Sequence, residues 1–239
     1  MEGKDWLDKL RNALSLNPRQ KGADQWPDWY RKYAELPHQL APGKQAFREL
    51  DVVVLDAETT GLNPRKDQLL SLGALRLRGH TIRLKECFEA YLPTPEELRD
   101  STAVSVHGIV PNSLRYRYTD LTSLMEEFLA YLGEAVIVGH HIGFDVEMIN
   151  RALAGLGAGP LKNRVLDTAL LAQKIHPPGY WTPQGEYALD KLARRYKISL
   201  SDRHTALGDS YITAILLLKL LSRLSEKRGR DLLVEDVFG

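Results

Sequence analysis

Val52, Val53, Val54 and Leu55 stand four in a row, and the run ends on Asp56. A strand exposed on one face alternates apolar with polar residues. An unbroken apolar run marks a strand covered on both faces, so the chain around it must supply two layers of cover. Gly61 and Asn63-Pro64 then mark a turn. LLSLGALRL (69–77) and IRLKECFEAYL (82–92) follow, joined around Gly79-His80, and predict an antiparallel three-strand meander. Beyond Pro93 and Pro95 the pattern changes. A short helix is expected near 96–105, then VHGIV, then a helix near 120–132. AVIVG (135–139) is a second buried strand that runs into the helix HHIGFDVEMINRALAGLG. VLDTALLAQKI reads as a strand entering a helix, HPPGYWTPQGE as a loop, and YALDKLARRYKI as an amphipathic helix with Leu189 and Leu192 inward. A last long helix starts near 205. The class is α/β, with a mixed central sheet flanked by helices.

Residues 1–49 differ in character, being rich in Trp, Lys, Arg and Pro. They read as an N-terminal helical arm, with helices near 4–15 and 26–36, and the linker PHQLAPGK, ahead of a main domain over 50–239. Trp6, Trp26 and Trp29 would dock the arm on its own domain or on a protein partner. The net charge of +1 gives no global attraction to nucleic acid, so any such binding must use local charge. The single cysteine, Cys87, excludes an intramolecular disulfide, points to a reducing, cytoplasmic setting, and is expected to be a small packed hydrophobe. The N-terminus shows no apolar signal-peptide core, and AILLLKLL is too short to span a bilayer, so no membrane association is expected.

The chemistry lies in acids at the ends of these elements. Asp56 and Glu58, two apart on a strand, share a face. They read either as solvated acids at a strand end or as ligands of a hard divalent cation. Thr59, Thr60 and Gly61 after them suit a ligand lying against the turn. Asp145 sits at a strand-to-helix junction, where α/β folds place ligands and where the helix dipole alone also favours an acid. His204 is expected on a loop or first turn and Asp209 on the helix that follows. A histidine there serves either as a cap or in proton transfer near neutral pH. Arg203 beside it is the cation best placed for a phosphate; Arg76 and Arg78 read as members of a solvated face.

DAETTGL (56–62), GHHIGFD (139–145) and HTALGD (204–209), in this order, resemble the DEDDh 3′–5′ exonucleases, the family of the proofreading epsilon subunit of bacterial DNA polymerase III. VHGI (106–109) and LDT (166–168) are lesser echoes, and the resemblance spans about residues 50–223. It implies the ribonuclease-H-like exonuclease fold. It implies two Mg²⁺ or Mn²⁺ ions on Asp56, Glu58, Asp145 and Asp209, clamping the oxygens of an in-line displacement. His204 would be the general base, and nucleoside 5′-monophosphates would be released from single-stranded 3′ ends, DNA being favoured over RNA or short oligonucleotides. Thr59 and Thr60 would meet the terminal 3′-hydroxyl, Leu62 and Phe144 the terminal bases, and His107 would line the cleft. His141 stands where the family usually has Asn, which bears on cleft positioning. The short stretch KRGRDLLVEDVFG after the last helix favours a free-standing nuclease over a replisome subunit. A module that binds strand ends without cutting is the competing class; the complete set of acids and histidine speaks against it.

Overall fold

The computed structural model describes residues 25–38, 45–94, 116–177, 183, 185–201 and 203–239. The helices expected near 4–15 and 96–105, Trp6, and VHGIV with His107 lie outside the described residues. Strand β1 (Asp51–Thr59) pairs antiparallel with β2 (Leu69–Arg78), which pairs antiparallel with β3 (Thr81–Tyr91). On its other side β1 pairs parallel with β4 (Val136–Gly139), and β4 with β5 (Val165–Asp167). The order β3-β2-β1-β4-β5 is the mixed sheet expected, with β1 at its centre.

Helices cover both faces. The helix α1 (Asp28–Ala34) lies with α2 (Leu121–Leu132) and α3 (Gly143–Gly155) on the face that receives Val53 and Leu55. Helices α4 (Thr168–Ile175), α5 (Leu189–Arg195), α6 (Ala206–Arg228) and α7 (Val234–Phe238) cover the face that receives Val52 and Val54. All four residues of the apolar run are therefore buried, alternately into two cores. Leu189 and Leu192 face inward on α5 as their spacing predicts. Among the described residues no helix is long and apolar enough to cross a membrane.

α1 is held by its tyrosines. The Tyr30 hydroxyl donates to the Pro160 carbonyl at 2.7 Å. The Lys162 amide donates to the Tyr33 hydroxyl at 2.7 Å, and that hydroxyl donates to Asn163 Oδ1. Trp26 packs edge-on against Tyr30, with the Lys162 ammonium over its ring.

Two residues on the meander differ from expectation. Cys87 is exposed, not packed, because β3 is an edge strand interrupted by a bulge: Leu75 pairs with Cys87 but Arg76 with Arg83, leaving Leu84, Lys85 and Glu86 outside the ladder. Arg76 is largely buried, not solvated; its guanidinium stacks over Tyr131 and donates to that residue's carbonyl.

One contact places α6. A β-carbon on Gly73 of β2 would lie 2.3 Å from the Leu207 nitrogen and 2.4 Å from the Ala206 carbonyl carbon. The helix start thus rests directly on the sheet, and Ser210 Oγ donates to the Gly73 carbonyl at 2.8 Å. Only a residue without a side chain permits this approach. Gly73→Ala is expected to cost about 1–3 kcal/mol by overpacking. Urea denaturation reads it; an unchanged midpoint with an unchanged slope would show that the helix start yields freely.

Candidate active site

Asp56 and Glu58 continue the alternation of Val52 and Val54, so their side chains project onto the α6 face near the end of β1. Opposite them on β2 stand Gly73 and Ser71, in register. Because α6 starts on Gly73, Asp209 in its first turn comes to the same place. Oxygens of Asp56, Glu58 and Asp209 lie within 4.8 Å of one another. A register shift follows directly after Glu58: Thr59 pairs with Leu69, so Leu70 of β2 is the extra residue beside these acids.

Asp145 reaches the group from α3. Its carboxylate accepts the Ala57 amide at 3.0 Å, tying the start of α3 to β1. It is not one of the three acids whose oxygens converge, but its charge acts on Asp56. The turn before α3 is fixed by Asp167, which accepts the Ile142 amide at 2.8 Å and also caps α4 through Ala169 and Leu170. His140 is half-buried between Thr168 and the Tyr187 carbonyl, and desolvation first, then His141, lowers its pKa to about 3, so it stays neutral.

His204 is exposed, in the left-handed conformation (φ 69°), one residue before the Thr205 cap whose side chain accepts the Gly208 amide. The imidazole thus stands exposed, one residue ahead of the helix that carries Asp209. Arg203 points inward, donating from Nη1 to Asp209 Oδ2 and from Nε to Asp190 Oδ1 at 2.6 Å. The second Asp209 oxygen, Oδ1, is buried without a hydrogen-bond partner among the described residues.

The loop after β1 is closed by Asp67. It accepts the Thr60 hydroxyl at 2.9 Å and the Asn63 amide at 2.7 Å, while Thr59 Oγ1 donates to the Gly61 carbonyl at 2.7 Å. This closure presents Leu62 to solvent, 88% exposed. Phe144, half-buried, sits on the α3 side.

Like charges and desolvation act together here. Burial first, then Asp145, Asp209 and Glu58, raises Asp56 well above the ordinary carboxylate range, with Arg203 opposing. Glu58 is raised to about 7 by burial and Asp209, and Asp145 to about 8, chiefly by burial. Carboxylates so placed take up protons or require cations. An unpartnered carboxylate oxygen within a set of hard oxygen donors fits a divalent metal.

The RNase T exonuclease family model matches residues 53–217, most of the chain. The chain belongs to this family. It is accordingly a hydrolase of the exonuclease class, and the five-stranded sheet is the fold expected of it. The chain is 30% identical over 191 residues to the PolC-type DNA polymerase III of Staphylococcus haemolyticus, covering 80% of this chain and 13% of that polymerase. A Staphylococcus aureus counterpart is 28% identical over the same length. Among solved structures, Escherichia coli exonuclease I in complex with a dT13 oligonucleotide superposes with a TM-score of 0.60 at 20% identity, covering 76% of this chain and 43% of that one. Exonuclease X in complex with 5′ overhanging duplex DNA gives 0.53 at 18%, covering 72% and 91%.

Asp190 and Asp67 carry no chemistry of their own in the sequence reading. Only their charge and the position of Asp190 at the start of an amphipathic helix hinted at them.

Unfolded carboxylates titrate near about 4. Glu58 and Asp145 hold their protons to about 7 and about 8 in the fold. Over that window the folded chain binds more protons than the unfolded one, so this contribution to stability is full at low pH and is lost as pH rises. The melting temperature of the metal-free protein is expected to fall between about pH 5 and about pH 8, with a smaller fall in Glu58→Gln. A flat profile would count against the crowding.

His141 adopts φ 56°, a conformation that Asn tolerates as well as His does. His141→Asn should keep the fold and lose less than about 100-fold in rate. A larger loss in single-turnover cleavage would give the imidazole a role of its own.

Proposed function

We propose that the protein is a metal-dependent 3′–5′ exonuclease that removes terminal nucleotides from single-stranded DNA as nucleoside 5′-monophosphates. The observation that carries this reading is the convergence of Asp56, Glu58 and Asp209, with one Asp209 oxygen left open, beside an exposed histidine. Asp56, Glu58, Asp145 and Asp209 would hold two Mg²⁺ or Mn²⁺ ions. Ions of this kind supply positive charge at the phosphate oxygens and lower the pKa of water. His204 takes a proton from the attacking water at an imidazole nitrogen. The water oxygen bonds to phosphorus, and the 3′-oxygen of the penultimate nucleotide leaves.

The remaining residues position the strand end. Leu62 stands out of a loop closed by Asp67 and offers an apolar face to a terminal base, with half-buried Phe144 at the start of α3 as the second such face. Thr59 and Thr60 lie at the strand end, where the terminal ribose would rest, and Arg203 is the cation at hand for a phosphate. The preference for DNA follows the polymerase relatives, of which the chain spans about 13%.

The test is cleavage of matched single-stranded DNA and RNA labelled at either end, with Mg²⁺, Mn²⁺ or EDTA, beside Asp56→Ala. Stepwise loss from the 3′ end is expected, faster on DNA, abolished by EDTA and reduced by at least about 100-fold in the variant. Metal binding without cleavage of either strand would move the protein to the end-binding class.

A further inference from the structure

Arg203 is the nearest cation to the acidic cluster among the described residues that act on it. Its Nη1 serves Asp209 Oδ2 and its Nε serves Asp190 Oδ1. It opposes the mutual repulsion at both Asp56 and Glu58. Asp190 lies outside the cluster, in the first turn of α5, and is more open to solvent than Arg203 (38% against 24% of the side chain). The guanidinium therefore has one acceptor in the cluster and one on a separate helix. A fork of fixed geometry can release the first while retaining the second.

We propose that Arg203 is a built-in counter-cation which competes with divalent metal for Asp209, and that Asp190 is the positioning residue which retains the guanidinium when Asp209 is given up. This rests on the metal-dependent reading above. Without metal, Arg203 keeps three crowded carboxylates compatible with the fold. When a divalent cation takes Asp209, Arg203 keeps its bond to Asp190 and so is not released to solvent. Asp190 lowers the cost of loading by acting through Arg203 and touches neither metal nor substrate. Affinity for metal is then set by this pair as well as by the ligands.

The two members of the pair should act with opposite sign, and one should act only through the other. Binding of Mn²⁺ alone is measured by calorimetry and by electron paramagnetic resonance, with no nucleic acid present. Arg203→Gln should tighten binding by about fivefold or more, since a positive charge beside the ligands is removed. The same change should lower the melting temperature of the metal-free protein. Asp190→Asn should weaken binding by a similar factor. In the Arg203→Gln background, Asp190→Asn should change the affinity by less than about twofold. Arg203→Lys retains the charge but cannot span both acceptors, and should fall between wild type and Arg203→Gln; it also serves if the glutamine variant fails to fold. Additive effects of the two substitutions would reduce the pair to a general field and overturn the proposal. So would unchanged affinity in both Arg203 variants. Failure of the wild-type protein to bind Mn²⁺ would instead overturn the metal-dependent reading on which it rests.

Discussion

The backbone of one helix touches the backbone of one strand. At Gly73 the start of α6 comes so close to β2 that no side chain fits between them. Asp56 and Glu58 are fixed by the pleat of β1, and Asp209 by the turn of α6; neither set can search for the other. Their meeting depends on the spacing between helix and sheet. The Ser210 hydroxyl on the Gly73 carbonyl holds that spacing from the helix side. A single residue of no chemistry thus determines whether the reactive groups form a site or remain three separate acids.

What the fold brings together it must also restrain. Three carboxylates with oxygens inside 4.8 Å repel one another in surroundings that strip them of water. Restraint comes from outside the cluster. The Ala57 amide holds Asp145, Arg203 holds Asp209 and is itself held by Asp190, and the turn before Asp145 hangs from Asp167. These supports lie on different elements, which explains why a site of a few side chains draws on β1, α3, α5 and α6 at once. It also leaves one oxygen of Asp209 unserved, the feature that most directly asks for a cation.

Much of this was legible in the linear chain. The unbroken run from Val52 to Leu55 announced a strand covered twice, and the structure buries its residues alternately in two cores. The turn residues placed the meander, and periodicity placed α2 to α6. Legibility failed where an outcome depended on neighbours distant in sequence. Arg76 looked like a surface charge because nothing near it in the chain reveals Tyr131. Cys87 looked packed because alternation does not report that a strand lies at an edge or carries a bulge. The bond between Arg203 and Asp190 joins a loop to a separate helix, and charge patterning along one element cannot reveal it.

The bulge on β3 has a consequence beyond the side chains it exposes. An open sheet ends in rows of unmatched amides and carbonyls, and a long flat edge invites a foreign strand to pair with it. Here one edge is broken by Leu84, Lys85 and Glu86, two of them charged, and the opposite edge strand, β5, is only three residues long. Neither border offers a continuous template for cross-β growth. A chain whose central strand is as apolar as Val52–Leu55 thereby carries its protection against aggregation at the rims of its sheet.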